Sequence, residues 1–198
     1  MKRKLFIFDM GGVVVHNCSI WKQISTAYGF SDAQKSLCEY SGLIDAASRG
    51  NITSMESLEI MASRAGLPQP EENYWLTFFH PSENTETIAL IKSLREKGHR
   101  VVCGTNTIDV HTDYLKKNHL YDSFDKLYAS NLMGQIKPDI TFWDFIRKEE
   151  KDFAFDEMFF FDDLQENVAA AASLGIHAHV FTSAGDASAF ISAEMPNL

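Results

Sequence analysis

Six side chains in this sequence have the right types to act together on an oxyanion, although they are scattered along the chain. They are Asp9, Thr105 with Asn106, Lys137, and Asp162 with Asp163. Asp9 ends the apolar run Leu5-Phe6-Ile7-Phe8, Thr105 and Asn106 end Val101-Val102-Cys103-Gly104, and Asp162 and Asp163 end Met158-Phe159-Phe160-Phe161. Lys137 precedes Pro138 at the start of a helical pattern. Carboxylates delivered by different segments make a hard, oxygen-rich site suited to Mg²⁺. A hydroxyl, backbone N–H groups and a lysine suit the oxygens of a phosphate.

For these residues to meet, the segments that carry them must be strands of one sheet. Leu5 to Phe8 is apolar throughout, as expected of a strand covered on both faces. Gly11-Gly12 then marks a tight loop where backbone approaches something closely. From Glu83 onward, helix and strand patterns alternate. Helices are expected over 85–97, 109–118, 139–148 and 166–174, and strands over 100–104, 126–129, 158–161 and 177–181. Alternation of this kind argues for a doubly wound parallel α/β sheet with right-handed crossovers. In such sheets ligands bind beyond the carboxyl ends of the strands, where all of these polar residues fall.

Residues 16–82 break the alternation. Trp21, Ile24 and Tyr28 have helical spacing, as do Leu58, Met61 and Ala65, with Thr53 or Ser54 as N-cap. Tyr74 to Phe79 reads as a short helix, and no strand is expected in this stretch. The division is therefore an α/β core of 1–15 and 83–198 with an all-helical insertion of 16–82. Trp21, Tyr28, Tyr74, Trp75, Phe78 and Phe79 are expected to form the insertion's own core.

Composition narrows the partners. The 198 residues carry a formal net charge of -9, which argues against nucleic acid or an anionic membrane as the main partner. A small phosphorylated substrate stays compatible, because a metal ion reverses the local field. Cys18, Cys38 and Cys103 have no ligand or redox spacing, so reduced thiols and a cytoplasmic location are expected. Met1-Lys2-Arg3-Lys4 is followed by too short an apolar run for a signal peptide. No stretch approaches the ~18 apolar residues of a membrane span.

The segments Phe8-Asp9-Met10-Gly11-Gly12-Val13, Val102-Cys103-Gly104-Thr105-Asn106, Gln135-Ile136-Lys137-Pro138-Asp139 and Phe160-Phe161-Asp162-Asp163 with Asn167 together resemble the haloacid dehalogenase (HAD) superfamily in order and wording. The wording around Arg95 to Arg100, Thr105-Asn106-Thr107 and Arg49-Gly50 looks closest to bacterial sugar-phosphate phosphatases of the α-D-glucose-1-phosphate phosphatase type. The resemblance implies a Mg²⁺-dependent phosphatase in which Asp9 attacks phosphorus and becomes an aspartyl phosphate. It implies that Asp9, the Gly11 carbonyl and Asp163 ligate the metal, with Asp162 orienting a bound water or a neighbouring ligand. It gives Thr105 and Asn106 to the phosphate and Lys137 to charge screening. The insertion would be a cap over the substrate.

One position departs from the family's pattern. The superfamily usually places a second Asp two residues after the nucleophile, to protonate the leaving group and then activate water. Here that residue is Gly11, and loss of such a group typically costs ~10²–10⁴-fold in rate. The alternatives are a phosphatase without this acid, a dehalogenase, a phosphomutase, and a binding or regulatory protein that keeps the pocket. Asp162-Asp163 argues against the metal-free dehalogenase, because adjacent carboxylates beside Asp9 would repel without a cation. His16 and His111 are the candidates to supply the proton, Arg49 is a candidate substrate contact, and Asn167 would orient Lys137 or the ligands.

Overall fold

A computed structural model describes residues 2–31, 34 and 42–195. Cys38 lies outside them. Five parallel strands form one sheet: β1 (Leu5–Phe8), β4 (Arg100–Thr105), β5 (Lys126–Ala129), β6 (Met158–Asp162) and β7 (His177–Val180), in spatial order β5-β4-β1-β6-β7. The chain winds outward from β1 through β4 to β5, then crosses to β6 on the other side. That reversal places the switch point of the sheet between β1 and β6.

The all-apolar runs are explained by the two covered faces. Phe6, Phe8, Phe159 and Phe161 join one buried cluster, while Leu5, Ile7, Met158 and Phe160 join another with Phe142 and Trp143. Neighbouring strands are in register, so Phe6 stacks on Phe159 at 4.9 Å and Phe8 on Phe161 at 4.7 Å. Burying each such ring contributes about 2 kcal/mol. The helices beyond residue 84, among them those that cover the sheet, are α5 (Thr85–Glu96), α6 (Asp109–Lys117), the short α7 (Ser130–Met133), α8 (Thr141–Glu149), α9 (Gln165–Ser173) and α10 (Ala184–Glu194). The expected helix start at Asp139 is corrected to Thr141; Asp139 instead accepts the Phe142 amide on its carbonyl.

Residues between β1 and α5 contain α1 (Trp21–Tyr28), α2 (Leu43–Ser48), α3 (Ser54–Ala65) and α4 (Tyr74–Thr77) among those described. Thr53, not Ser54, caps α3, in a reciprocal box with Glu56. The expectation of no strand in 16–82 is also corrected. β2 (Val15–His16) pairs antiparallel with β3 (Ser82–Glu83), forming a short ribbon that straps the two ends of the segment together. Asn84 tightens the strap: its N–H donates to the Val14 carbonyl at 2.9 Å and its amide to Val13 at 3.1 Å.

Candidate active site

Register brings the acids together. Phe8 lies opposite Cys103 on β4 and Phe161 on β6, so Asp9 lies level with Gly104 and Asp162. The Asp9 N–H donates to the Phe161 carbonyl at 2.9 Å, fixing the backbone where β1 ends. One oxygen each of Asp9, Asp162 and Asp163 lies within 4.8 Å of the others.

Lys137 is the buried centre of the cluster. Its Nζ donates to Asp162 Oδ2 at 2.6 Å and to the Gly104 carbonyl at 3.0 Å, and lies 2.9 Å from Asp9 Oδ1. The approach to Asp9 is oblique, so Asp9 Oδ1 is buried without a directed donor. Asp162 is fully buried and fully engaged: Oδ1 accepts the Leu164 N–H at 2.9 Å and the Asn167 amide at 3.0 Å. Asp163 is exposed. Three carboxylates thus share one ammonium. Burial raises the Asp9 carboxyl to about 6, with Lys137 drawing it back and Asp162 pushing it further up. Burial also lifts Asp163, and Asp162 adds to that. Burial pulls Lys137 down, but Asp9 and Asp162 outweigh it and hold the ammonium above its usual value.

The other expected residues divide. Thr105 is buried at the end of β4, its hydroxyl making only a 3.4 Å contact with the Asn106 carbonyl. The Asn106 side chain serves the backbone of Lys137: its amide donates to the Lys137 carbonyl and its oxygen accepts the Lys137 N–H, both at 2.8 Å. That side chain is therefore occupied as a clamp on the loop. Arg49 does not point at the cluster, in contrast to the substrate contact considered above. Its guanidinium pairs with Asp139 and donates to the Gly134 carbonyl at 3.3 Å, joining the helical segment to the sheet domain. His16 is exposed on β2. His111 is engaged on one side by the helical segment. Its Nε2 donates to the Trp75 carbonyl at 2.8 Å, its ring stacks on Phe79 at 3.8 Å, and burial lowers its pKa to about 4.

The two glycines after Asp9 have different surroundings. A Cβ on Gly12 would fall 2.3 Å from Asp163 Oδ2, and Gly12 has φ +75°. A Cβ on Gly11 would meet only Cys18, at 3.7 Å from its Cβ and 3.9 Å from its Sγ. Cys18 is a neighbour that local spacing did not reveal, because only the fold of the β2 ribbon turns it back over Gly11. Burial, then Asp9, pushes its thiol up to about 11, so it stays protonated. Trp75 and Phe79 were expected inside the helical segment; they also reach His111. No sequence signal separates such a residue from an ordinary core aromatic.

No family model matches the chain. The sesquiterpene phosphatase astK of Aspergillus oryzae is 30% identical over 181 residues, covering 87% of this chain and 87% of its own length. A HAD family enzyme of Bacteroides thetaiotaomicron, solved with magnesium and inorganic phosphate, is 25% identical with a TM-score of 0.72, covering 92% of this chain and 96% of that one. A predicted HAD-like hydrolase of Porphyromonas gingivalis is 25% identical with a TM-score of 0.74, covering 90% and 91%. The L-2-haloacid dehalogenase of Xanthobacter autotrophicus, at 16% identity and a TM-score of 0.60 over 88% and 76%, shares the fold alone. With the strand-end acids, the buried lysine and the sheet order all in place, these likenesses leave one assignment: the chain belongs to the haloacid dehalogenase-like hydrolase superfamily, among its phosphoric monoester hydrolases.

Proposed function

We propose that the protein hydrolyses a small phosphorylated metabolite through an aspartyl phosphate on Asp9, in a cap-and-core arrangement with 16–82 as the cap over 1–15 and 83–198. The observation that carries this reading is the buried ion-paired set Asp9–Lys137–Asp162, placed where two central strands end. Asp9 Oδ attacks phosphorus, the bond from phosphorus to the ester oxygen breaks, and that oxygen leaves as an alkoxide that takes a proton from water, leaving hydroxide. A second water then attacks the phosphorus and gives its proton to that hydroxide, the Asp9–phosphorus bond breaks to restore the carboxylate, and inorganic phosphate leaves. Lys137 lets an anionic nucleophile approach an anionic ester by spreading positive charge between them. Thr105 Oγ1 and the backbone N–H groups of Met10 and Gly11 bind phosphate oxygens, since those of Asp9 and Gly12 already serve the Phe161 and Val15 carbonyls. Asn106 holds Lys137 in place for this work.

The donor set fits Mg²⁺. Three carboxylates exceed one ammonium, Asp9 Oδ1 lacks a directed donor, and all the groups are hard oxygens. Both Asp162 oxygens serve Lys137, Leu164 and Asn167, so Asp9, the Gly11 carbonyl and Asp163 are the ligands proposed. When bound, the ion neutralises charge on the phosphoryl oxygens and supports the approach of Asp9. Magnesium in the Bacteroides neighbour supports the same choice. A sugar phosphate as substrate rests on the motif wording alone.

Asp9→Asn tests the mechanism. Phosphate release with Mg²⁺ should fall by at least about 10³-fold while the circular dichroism spectrum is unchanged. Turnover near the wild-type rate in that variant would sink the reading.

A further inference from the structure

The phosphate end of the site is built from charges, but the space beside it is not. Two cavities, of about 50 and 160 Å³, share Asn106, Thr107 and His111 in their walls. The smaller touches Gly11 and Thr105 and is completed by Met10, Val15, Phe79 and Leu115, with Cys18. The larger is completed by Ile44, Ala47, Trp75 and Ile108, with Ser48. No Asp, Glu, Lys or Arg lines either one among the described residues.

The polar side chains in these walls already have partners. The Asn106 amide is taken by the Lys137 backbone. Thr107 receives Ser130 Oγ on its carbonyl, donates its N–H to the same oxygen, and turns its hydroxyl to the Ile108 carbonyl. His111 spends its one N–H on Trp75. The Cys18 thiol faces the carbonyls of Val15 and His16. Beside Thr105, whose hydroxyl serves the phosphate end, the Ser48 hydroxyl and the His111 lone pair are what is left. A polyol placed here would bury several hydroxyls without partners, each costing roughly ten- to a hundredfold in affinity. A dry cavity of about 150 Å³ with aliphatic and aromatic walls takes a molecule the size of benzene.

Resting on the phosphatase reading above, we propose that the leaving group is a short apolar alkyl or alkenyl chain of about six carbons, seated against Ile44, Ala47, Trp75 and His111. The phosphate is held by Lys137 and its neighbours, and the chain threads past His111 into the larger cavity. Ile44 and Ala47, both on α2, set the length that fits.

The test uses the full chain with Mg²⁺ and a series of linear alkyl phosphates from ethyl to octyl, beside glucose 1-phosphate and glucose 6-phosphate. kcat/KM should rise on the order of threefold per added carbon up to about six carbons and then fall. Hexyl phosphate should exceed both glucose phosphates by at least about tenfold. A flat series, or a glucose phosphate ahead of every alkyl phosphate, overturns the inference while leaving the phosphatase reading intact. Ala47→Phe should lower the hexyl-to-ethyl ratio by about tenfold, since the ring fills the larger cavity; an unchanged ratio overturns the placement. If no ester is hydrolysed, the phosphatase reading fails, and calorimetric affinities decide the inference separately. Tighter binding of hexyl than of ethyl phosphate supports it, and equal affinities overturn it.

Discussion

Two adjacent glycines follow Asp9, and they make opposite demands on substitution. Gly12 takes a positive φ and leaves no room beside Asp163, so Gly12→Ala should displace that carboxylate. Mg²⁺ affinity, measured by calorimetry, should drop by at least about tenfold. Gly11 has neither constraint; its missing side chain would emerge against Cys18. Gly11→Asp should therefore fold, restore an acid/base to the leaving-group side, and speed hydrolysis by up to about 10²-fold. A slower or unchanged rate in stopped-flow phosphate release would show that proton transfer does not limit turnover. His111 gives a separate effect. Its folded pKa of about 4 lies below the ordinary 6.5. The stability this neutral ring contributes is complete above about pH 6.5 and is lost as pH falls toward 4, at up to about 1.4 kcal/mol per pH unit. Chemical denaturation of His111→Phe should show a flatter pH dependence across that window than the wild type.

At the scale of elements, β1 and β6 were legible because they are covered on both faces, so every residue from Leu5 to Phe8 and from Met158 to Phe161 is apolar. The acids that end them were legible for the same reason: Asp9 and Asp162 are abrupt polar stops at buried positions. What escaped was set by contacts between distant segments. β2 and β3 are two residues each, too short for any periodicity. The side chain of Asn106 carries no local sign that it grips the Lys137 peptide rather than a phosphate. Arg49 reads as a free cation until Asp139 is placed beside it. Asn167 has the same ambiguity, since a first-turn Asn is ordinary, yet it holds Asp162 from α9. Asn167→Ala should leave Asp162 Oδ1 with one donor fewer and loosen its hold on Lys137. kcat should fall by about tenfold with KM little changed, and stability should drop by about 1 kcal/mol in urea titration.

Across the whole molecule, sheet and helical segment are not separately packed. Phe8 and Phe161 from the sheet, Ile91 from α5, and Ile24, Leu58 and Trp75 from the inserted helices belong to one buried cluster. Arg49 on Asp139, Ser54 on Asp109 and His111 on Trp75 add polar ties across the same boundary. The Arg49–Asp139 pair ties the helical segment to the loop that carries Lys137. The ribbon of Val15–His16 with Ser82–Glu83 works in the other direction. Because it holds the two crossing strands side by side, both connections of the inserted chain leave the sheet domain at one place. A two-residue Asn-Gly turn joining His16 to Ser82 would close the ribbon as a hairpin. That shortened chain should keep the far-ultraviolet signature of the parallel sheet but unfold at lower urea, because it opens the cluster that Phe8, Phe161 and Ile91 share with Ile24, Leu58 and Trp75.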